Sequence, residues 1–345
     1  LKLELMDIHD ADLRPDEVGT TRYTIEQRLP LWGKRRLRRE AATSAHAAAS
    51  ARAAQSLAEL RAQLRIAFSE YYAASAELAI NEATRTLFVQ ALRSASERQA
   101  NSLAPQQDLI RAQTEQSTLL IEAQTLHGRI ERARIALNAL TGQPLDAPLP
   151  PPATLPASAD FDRSSERVMN SETIDAPAIE IVEQELQQRR GEHRLAERER
   201  YPDLTVGISP VQTGSHFETW ELMLGVTLPL HGGARARERT QQALYVAAEE
   251  RQHAVVLAVR AAAASARANY QAASRTEQLI STQLLPEVRL GYRSALAGYG
   301  NAQLDFDAVV AAALQIRNAE RQRIDAAVEQ QLAIAEFERR TGVQP

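Results

Sequence analysis

Cysteine is absent from the 345-residue chain, which excludes disulfide frameworks, zinc–thiolate centres and thiol nucleophiles. Long hydrophobic runs are missing too. The richest stretch, Ala254 to Ala264, is interrupted by Arg260, well short of the ~18 apolar residues that a transmembrane helix needs. Neither sign of charge dominates: 40 Lys+Arg stand against 44 Asp+Glu, a formal net charge of −4. A nucleic-acid partner normally requires a basic excess, so none is expected. Aromatics make up only 5% while hydrophobic residues reach 44%. Alanine fills the difference, a composition suited to long, closely packed helices rather than a thick globular core.

The three methionines (Met6, Met169, Met223) and seven histidines (His9, His46, His127, His193, His216, His231, His253) are scattered, with none of the spacing of a metal site. No nucleophile–base pair, metal cluster or glycine-rich phosphate loop stands out. The chain is therefore not expected to be an enzyme, to carry a cofactor or to bind a metal tightly.

What the chain does contain is a repeat. Leu29-Pro30-Leu31-Trp32-Gly33 is matched by Leu228-Pro229-Leu230-His231-Gly232, an offset of 199. The same offset pairs Tyr71-Tyr72-Ala73-Ala74-Ser75 with Tyr270-Gln271-Ala272-Ala273-Ser274, and Asp108 with Asp307. With one or two inserted residues, Thr141-Gly142 matches Thr341-Gly342. Each half reads as strands, a Leu-Pro-Leu-x-Gly corner, a very long helix, a short break, a second helix and a Thr-Gly stop. A helix over about Ala176 to Arg200 precedes the second pair of strands and has no counterpart before Leu1. Symmetry thus leads us to expect that the sequence begins inside the first repeat, with a helix and any export signal or lipid-anchored cysteine upstream.

Four segments alternate with period two. Trp220, Leu222, Leu224, Val226 and Leu228 fall on one face, against Glu221, Met223, Gly225 and Thr227. Leu204, Val206 and Ile208 alternate with Asp203, Thr205, Gly207 and Ser209; Tyr23, Ile25 and Leu29 form a third apolar face, broken by Gln27. Leu1, Leu3 and Leu5 form the fourth, which reads as a strand rather than an export signal. Segments of about nine such residues suit outer-membrane strands, though ordinary hairpins packed on a helix give the same pattern. Four strands cannot close a barrel, and lipid does not tolerate an open edge. If these strands meet lipid, several chains must share one barrel.

From Arg35 to Ala100 there is neither proline nor glycine, and from Ala234 to Ala297 only Pro286 and Gly291. At 1.5 Å per residue such helices run roughly 90–100 Å. Leu57, Leu60, Leu64, Ala67, Tyr71, Ala74 and Leu78 follow 3-4 spacing, as do Leu119, Ala123, Leu126, Ile130, Ala133, Leu137 and Leu140, the seam of a coiled coil. The implied organisation is a first β-hairpin (1–31), a first long-helix hairpin (32–144), a proline-rich connector (145–175), a helix (176–201), a second β-hairpin (202–230) and a second long-helix hairpin (231–345).

Two copies of hairpin, Leu-Pro-Leu-x-Gly corner, long helix and return helix resemble the TolC-like outer-membrane factors over nearly the whole chain. Within that family, Gln27-Arg28-Leu29-Pro30-Leu31-Trp32-Gly33-Lys34-Arg35 is most similar to the heavy-metal resistance branch. The resemblance implies an α+β membrane channel: a homotrimer sharing a twelve-stranded transmembrane β-barrel, continued by a periplasmic α-helical barrel that seals at its inner end. It implies a periplasmic adaptor and an inner-membrane RND pump as partners, with metal cations as the exported substrate. A drug-efflux or type I secretion channel of the same fold is an open alternative. So is a soluble coiled-coil scaffold.

The resemblance also points to functional residues. The breaks at 98–105 and 298–304 become the periplasmic tips. Past the second tip, Asp305 and Asp307 are gate or selectivity candidates, since three-fold symmetry turns one carboxylate into a ring. Two apart on a helix they cannot face the same way, so at most one lines the lumen; a role in complementing the helix dipole is the plainer alternative. Arg98, Asp108 and Tyr299 are latch candidates, with ordinary exposed polar loop residues as the open alternative. Trp32, Lys34, Arg35, Arg36 and Trp220 are membrane-interface candidates, the basic run opposing the helix dipole and placed to meet anionic headgroups of the inner leaflet, with a plain solvated face as the open alternative.

Overall fold

The computed structural model describes residues 2–6, 20–102, 104–158, 160–171, 173–213, 216–228 and 233–343. In chain order its elements are strands β1 (Lys2–Met6) and β2 (Thr20–Leu29), and helices α1 (Lys34–Ala100), α2 (Gln106–Thr141), α3 (Phe161–Asn170) and α4 (Pro177–Arg198). Strands β3 (Asp203–Thr213) and β4 (His216–Thr227) follow, then α5 (Gly233–Leu279), a π-turn (Ile280–Leu284), α6 (Leu285–Gly300) and α7 (Phe306–Thr341). They fall into two units, Leu1–Ala51 with Ile179–Val256, and Arg52–Ala178 with Leu257–Pro345.

The first unit holds one sheet in the order β1-β2-β3-β4, each neighbouring pair antiparallel. The β2–β3 pairing joins the two halves of the repeat, with Ile25 opposite Ile208 and Leu29 opposite Leu204. Leu204, Val206 and Ile208 in turn lie opposite Val226, Leu224 and Leu222. Helix α4 belongs to the same unit. A Cβ on Gly191 would stand 3.3 Å from the Ala41 Cβ, so a glycine there lets α4 approach α1 closely.

The second unit is helical. Both return helices stop at a glycine in the left-handed region, Gly142 (φ 70°) and Gly342 (φ 71°), where a side chain would be strained and where freed carbonyls are recovered: Gln143 N–H donates to Asn138 O at 2.9 Å, and Gly342 N–H to Glu338 O at 2.8 Å. Of the predicted stripe on α2, Leu119, Leu126, Ala133 and Leu137 are buried, and Ala123, Ile130 and Leu140 half-buried. On α1 the predicted stripe divides. Ala67, Tyr71 and Ala74 are buried, but Leu57, Leu60 and Leu64 are 48%, 52% and 39% exposed, and Ala58 and Ala62 are buried in their place. Close helix approach selects the small side chain and turns leucine outward.

The connector is not wholly extended. Within the expected segment 145–175 lies α3, anchored by Phe161, whose ring sits 4.5 Å from Tyr270 and 5.2 Å from Phe337. Ten residues with one large aromatic anchor carry too little periodicity to reveal a helix. Two tyrosines related by the repeat hold the connector: Tyr71 Oη donates to Leu149 O at 2.7 Å, and Tyr270 Oη to Ser158 O at 3.0 Å.

The offset of the repeat also needs correction. Tyr71 and Tyr270 are 199 apart, but the hairpin turns are 200 apart: Ser102 (φ 60°) corresponds to Ala302 (φ 57°), and α2 ends at Thr141 where α7 ends at Thr341. Asp108 therefore does not correspond to Asp307. The additional residue falls between Tyr270 and Asn301, where the π-turn lies; there Leu285 N–H bonds to Ile280 O, five residues back. A π-turn is how a helix absorbs one inserted residue without breaking. It also ends two residues before Pro286, which has no N–H to give to the preceding turn.

Candidate functional site

The sheet is inverted relative to a soluble one. Pairing places Ile25, Leu29, Leu204, Val206, Ile208, Trp220, Leu222, Leu224 and Val226 on one face. That apolar face is open: Leu222 is 81% exposed, Leu224 73%, Trp220 67% and Ile25 56%. The opposite, polar face is covered in part, along the β2–β3 pairing. Thr24, Asp203 and Ser209 are buried there, Ser209 Oγ donates to Thr24 Oγ1 at 3.0 Å, and Arg22 pairs with Glu221 at 3.1 Å. Water rewards the opposite arrangement; an outer-membrane barrel strand has this one.

Where β2 turns into α1, Trp32 and Gly33 both take positive φ (60° and 78°). For tryptophan this is strained, and two contacts hold it: Nε1 donates to Pro202 O at 3.0 Å, and the indole lies 5.2 Å from the Tyr201 ring. Lys34, expected to face lipid headgroups, is instead buried. Its Nζ donates to Asp203 Oδ1 at 2.6 Å and to Tyr201 O at 2.8 Å, and Arg28 pairs with the other carboxylate oxygen at 3.0 Å. Arg35 and Arg36 are exposed, Arg36 lying 3.5 Å from Glu40. Trp220 is exposed on the apolar face. The second corner, residues 229–232, lies outside the described residues, as do Leu1, His9 and His231.

The two helix-hairpin turns meet in the second unit. Tyr299, 2% exposed, donates from Oη to Asp108 Oδ2 at 2.8 Å, and the Arg98 guanidinium lies 4.5 Å from the centre of its ring. Phe306 packs edge-on at 5.3 Å. Burial, then the hydrogen bond to Asp108 and its negative charge, push the Tyr299 phenol up to about 12 against the opposing pull of Arg98. All three latch candidates are thus brought into one contact between hairpins. The two aspartates separate. Asp305 occupies the N-cap position of α7, makes no capping side-chain hydrogen bond and is exposed. Asp307, in the first turn, lies 3.8 Å from Arg111. Cavities of about 710 Å³ beside the connector and about 580 Å³ at the turns are among the open spaces of this unit; Arg98, Asp108, Arg111, Tyr299, Asp305 and Asp307 line the latter.

Arg111 and Asp203 were not singled out from sequence. Each is the partner of a singled-out residue from a distant segment, and spacing carries no trace of such pairs.

No family model matches the chain, and no curated protein matches it. Solved structures do. The outer membrane protein VceC from Vibrio cholerae aligns with a TM-score of 0.82 at 18% identity, over 99% of this chain and 85% of that one. The outer-membrane channel OprN aligns at 0.81 and 19% identity over 99% and 80%. CusC, described through its transmembrane channel formation, aligns at 0.76 and 16% identity over 99% and 82%. The chain therefore has the α+β fold of these outer-membrane channel subunits.

Proposed function

We propose that the chain is one protomer of a TolC-like outer-membrane channel, the exit duct of a tripartite efflux pump. The observation that carries this is the inverted sheet. Four strands with an open apolar face and a partly covered polar face have no stable home in water, and two free edges have none in lipid. Three copies, with β4 of one chain against β1 of the next, remove every edge and yield twelve strands. The helices then form the periplasmic duct, closed at the hairpin turns by Tyr299, Asp108 and Arg98 and lined there by Asp305. A periplasmic adaptor and an inner-membrane RND pump are the partners this reading requires.

The corner sequence Gln27–Arg35 supports heavy-metal cations as the cargo, with substrate choice made upstream and this chain a passive conduit. The inverted sheet speaks against the soluble scaffold. Reconstitution into planar bilayers tests the reading: discrete trimer-dependent conductance is expected, and a chain that stays in the aqueous fraction and does not conduct would refute it. Export of metal cations against drugs in cells lacking their own channel separates the two cargo classes.

A further inference from the structure

We propose that the arginines around the helix-side end of the sheet form a binding collar for anionic phospholipid headgroups, an inference that rests on the sheet lying in a membrane. On that side the apolar face ends with Leu29, Leu204 and Val226 in one row. Immediately beyond it sits the tilted ring pair of Trp32 and Tyr201, whose rings combine an apolar body with a polar edge, the chemistry of a membrane–water boundary. Next to this pair is Arg200, with its guanidinium 5.1 Å from the Tyr201 ring centre and its Nη2 donating to Tyr201 Oη at 3.3 Å.

The charge around this point is concentrated. Residues 35–40, 197–200 and 235–239 hold nine arginines against four glutamates, an excess of five positive charges in a chain whose net charge is −4. Two of the glutamates are spoken for, Glu40 by Arg36 and Glu199 by Arg237; Glu197 and Glu238 lie near Arg200. Among the described residues Arg35, Arg38, Arg39 and Arg200 make no ion pair, and all four are exposed.

Local helix chemistry disfavours these arginines. Helices α2, α3, α4 and α7 each carry an acidic residue in the first turn, namely Asp108, Asp162, Glu180 and Asp307. Helices α1 and α5, the two that leave the sheet, carry none, and begin instead with arginines that oppose the dipole. A local preference broken at both exits from the sheet marks a demand from outside the helix. The planar guanidinium fork matches a phosphate diester in two parallel hydrogen bonds, and each such charge at an anionic surface adds to the attraction.

The test compares the chain with its Arg35→Gln/Arg38→Gln/Arg39→Gln and Arg200→Gln variants in vesicles of phosphatidylethanolamine alone and with phosphatidylglycerol added. Conductance is recorded in both, and retained lipid is counted by native mass spectrometry. The expected result is conductance in both membranes, with phosphatidylglycerol enriched on the wild-type chain by on the order of tenfold or more, an enrichment lost in the triple variant and reduced in Arg200→Gln. Inorganic phosphate added without lipid should leave thermal stability unchanged. Conductance with no enrichment, or with equal enrichment in the variants, overturns the collar alone. Failure to insert in either membrane overturns the channel reading together with it.

Discussion

Tyr299 and Asp108, 191 residues apart in sequence, are joined by a 2.8 Å hydrogen bond from the phenol to the carboxylate. Tyr299 is also roofed by Arg98, so one ring receives a cation on its face while its hydroxyl engages an anion. A hydrogen bond to a charged group contributes about 1.5–3 kcal/mol. If this contact holds the hairpins closed, Tyr299→Phe raises the open-to-closed ratio by about one to two decades. Single-channel recording reads this as longer open times with unchanged folding; an unaltered open fraction would remove Tyr299 from the gate.

The same contact has a predictable pH dependence. The phenol must be protonated to donate, and its folded-state value lies at about 12, above the ordinary 10.0. A raised value means the contribution is complete below pH 10 and is lost as pH rises toward 12. Closure through Tyr299 is therefore insensitive to pH from neutrality to about 9, and weakens only in strong alkali. Recording wild type and Tyr299→Phe across that range checks it: the two should converge only at the alkaline end.

Lys34 and Asp203 form an ion pair at 2.6 Å, both side chains almost fully buried. Removing one partner of a buried pair costs about 3–5 kcal/mol because the other charge is stranded; Arg28, still within 3.0 Å of Asp203, brings the expected cost of Lys34→Met toward the lower end. The thermal midpoint should fall clearly, and Lys34→Met/Asp203→Leu should recover part of the loss. Equal midpoints for wild type and the single variant would contradict the pairing.

These residues also mark how far the sequence could be read. The repeat, the alternation over Trp220–Val226 and the alanine-rich helices are local patterns, and the strands and helices follow them. Lys34 reads as one more member of a basic run because Asp203 is 169 positions away, and only the β2–β3 pairing brings them together. Leu57, Leu60 and Leu64 have the right spacing for a seam, but spacing fixes a face and not which face is buried; Ala58 and Ala62 won by size. The π-turn was hidden for a related reason. A single inserted residue shifts an alignment from 199 to 200 without any composition signal, which is why Asp108 was matched to Asp307. At the turns, aspartates, an arginine and a tyrosine were visible, whereas their mutual contacts depend on two hairpins meeting.

Asp305 and Asp307 should differ in their effect on ions. Asp305 is exposed and its carboxylate makes no capping hydrogen bond to its helix, while Asp307 has Arg111 at 3.8 Å. In a three-fold assembly Asp305 presents the less compensated ring. Asp305→Asn is expected to lower the cation-to-anion permeability ratio severalfold, and Asp307→Asn to change it less. Reversal potentials under a salt gradient measure both; a larger effect at Asp307 would exchange their roles.

Tyr71 and Tyr270 pin opposite parts of one connector, through Leu149 O and Ser158 O. They are equivalent in the repeat, yet their targets lie nine residues apart on a segment that has no second copy. Each hydroxyl contributes about 1 kcal/mol as a neutral hydrogen bond. Phenylalanine at either position keeps the ring packing, including the Phe161 contact at Tyr270, and removes only the donor. Amide exchange over residues 146–158 should therefore accelerate severalfold in Tyr71→Phe, with the change concentrated near Leu149, and severalfold in Tyr270→Phe near Ser158. If the two hydrogen bonds act independently, the double variant adds the two effects within about 0.5 kcal/mol. A larger combined loss would mean that the connector detaches as one cooperative piece, held at both ends by the tyrosines of the two repeats.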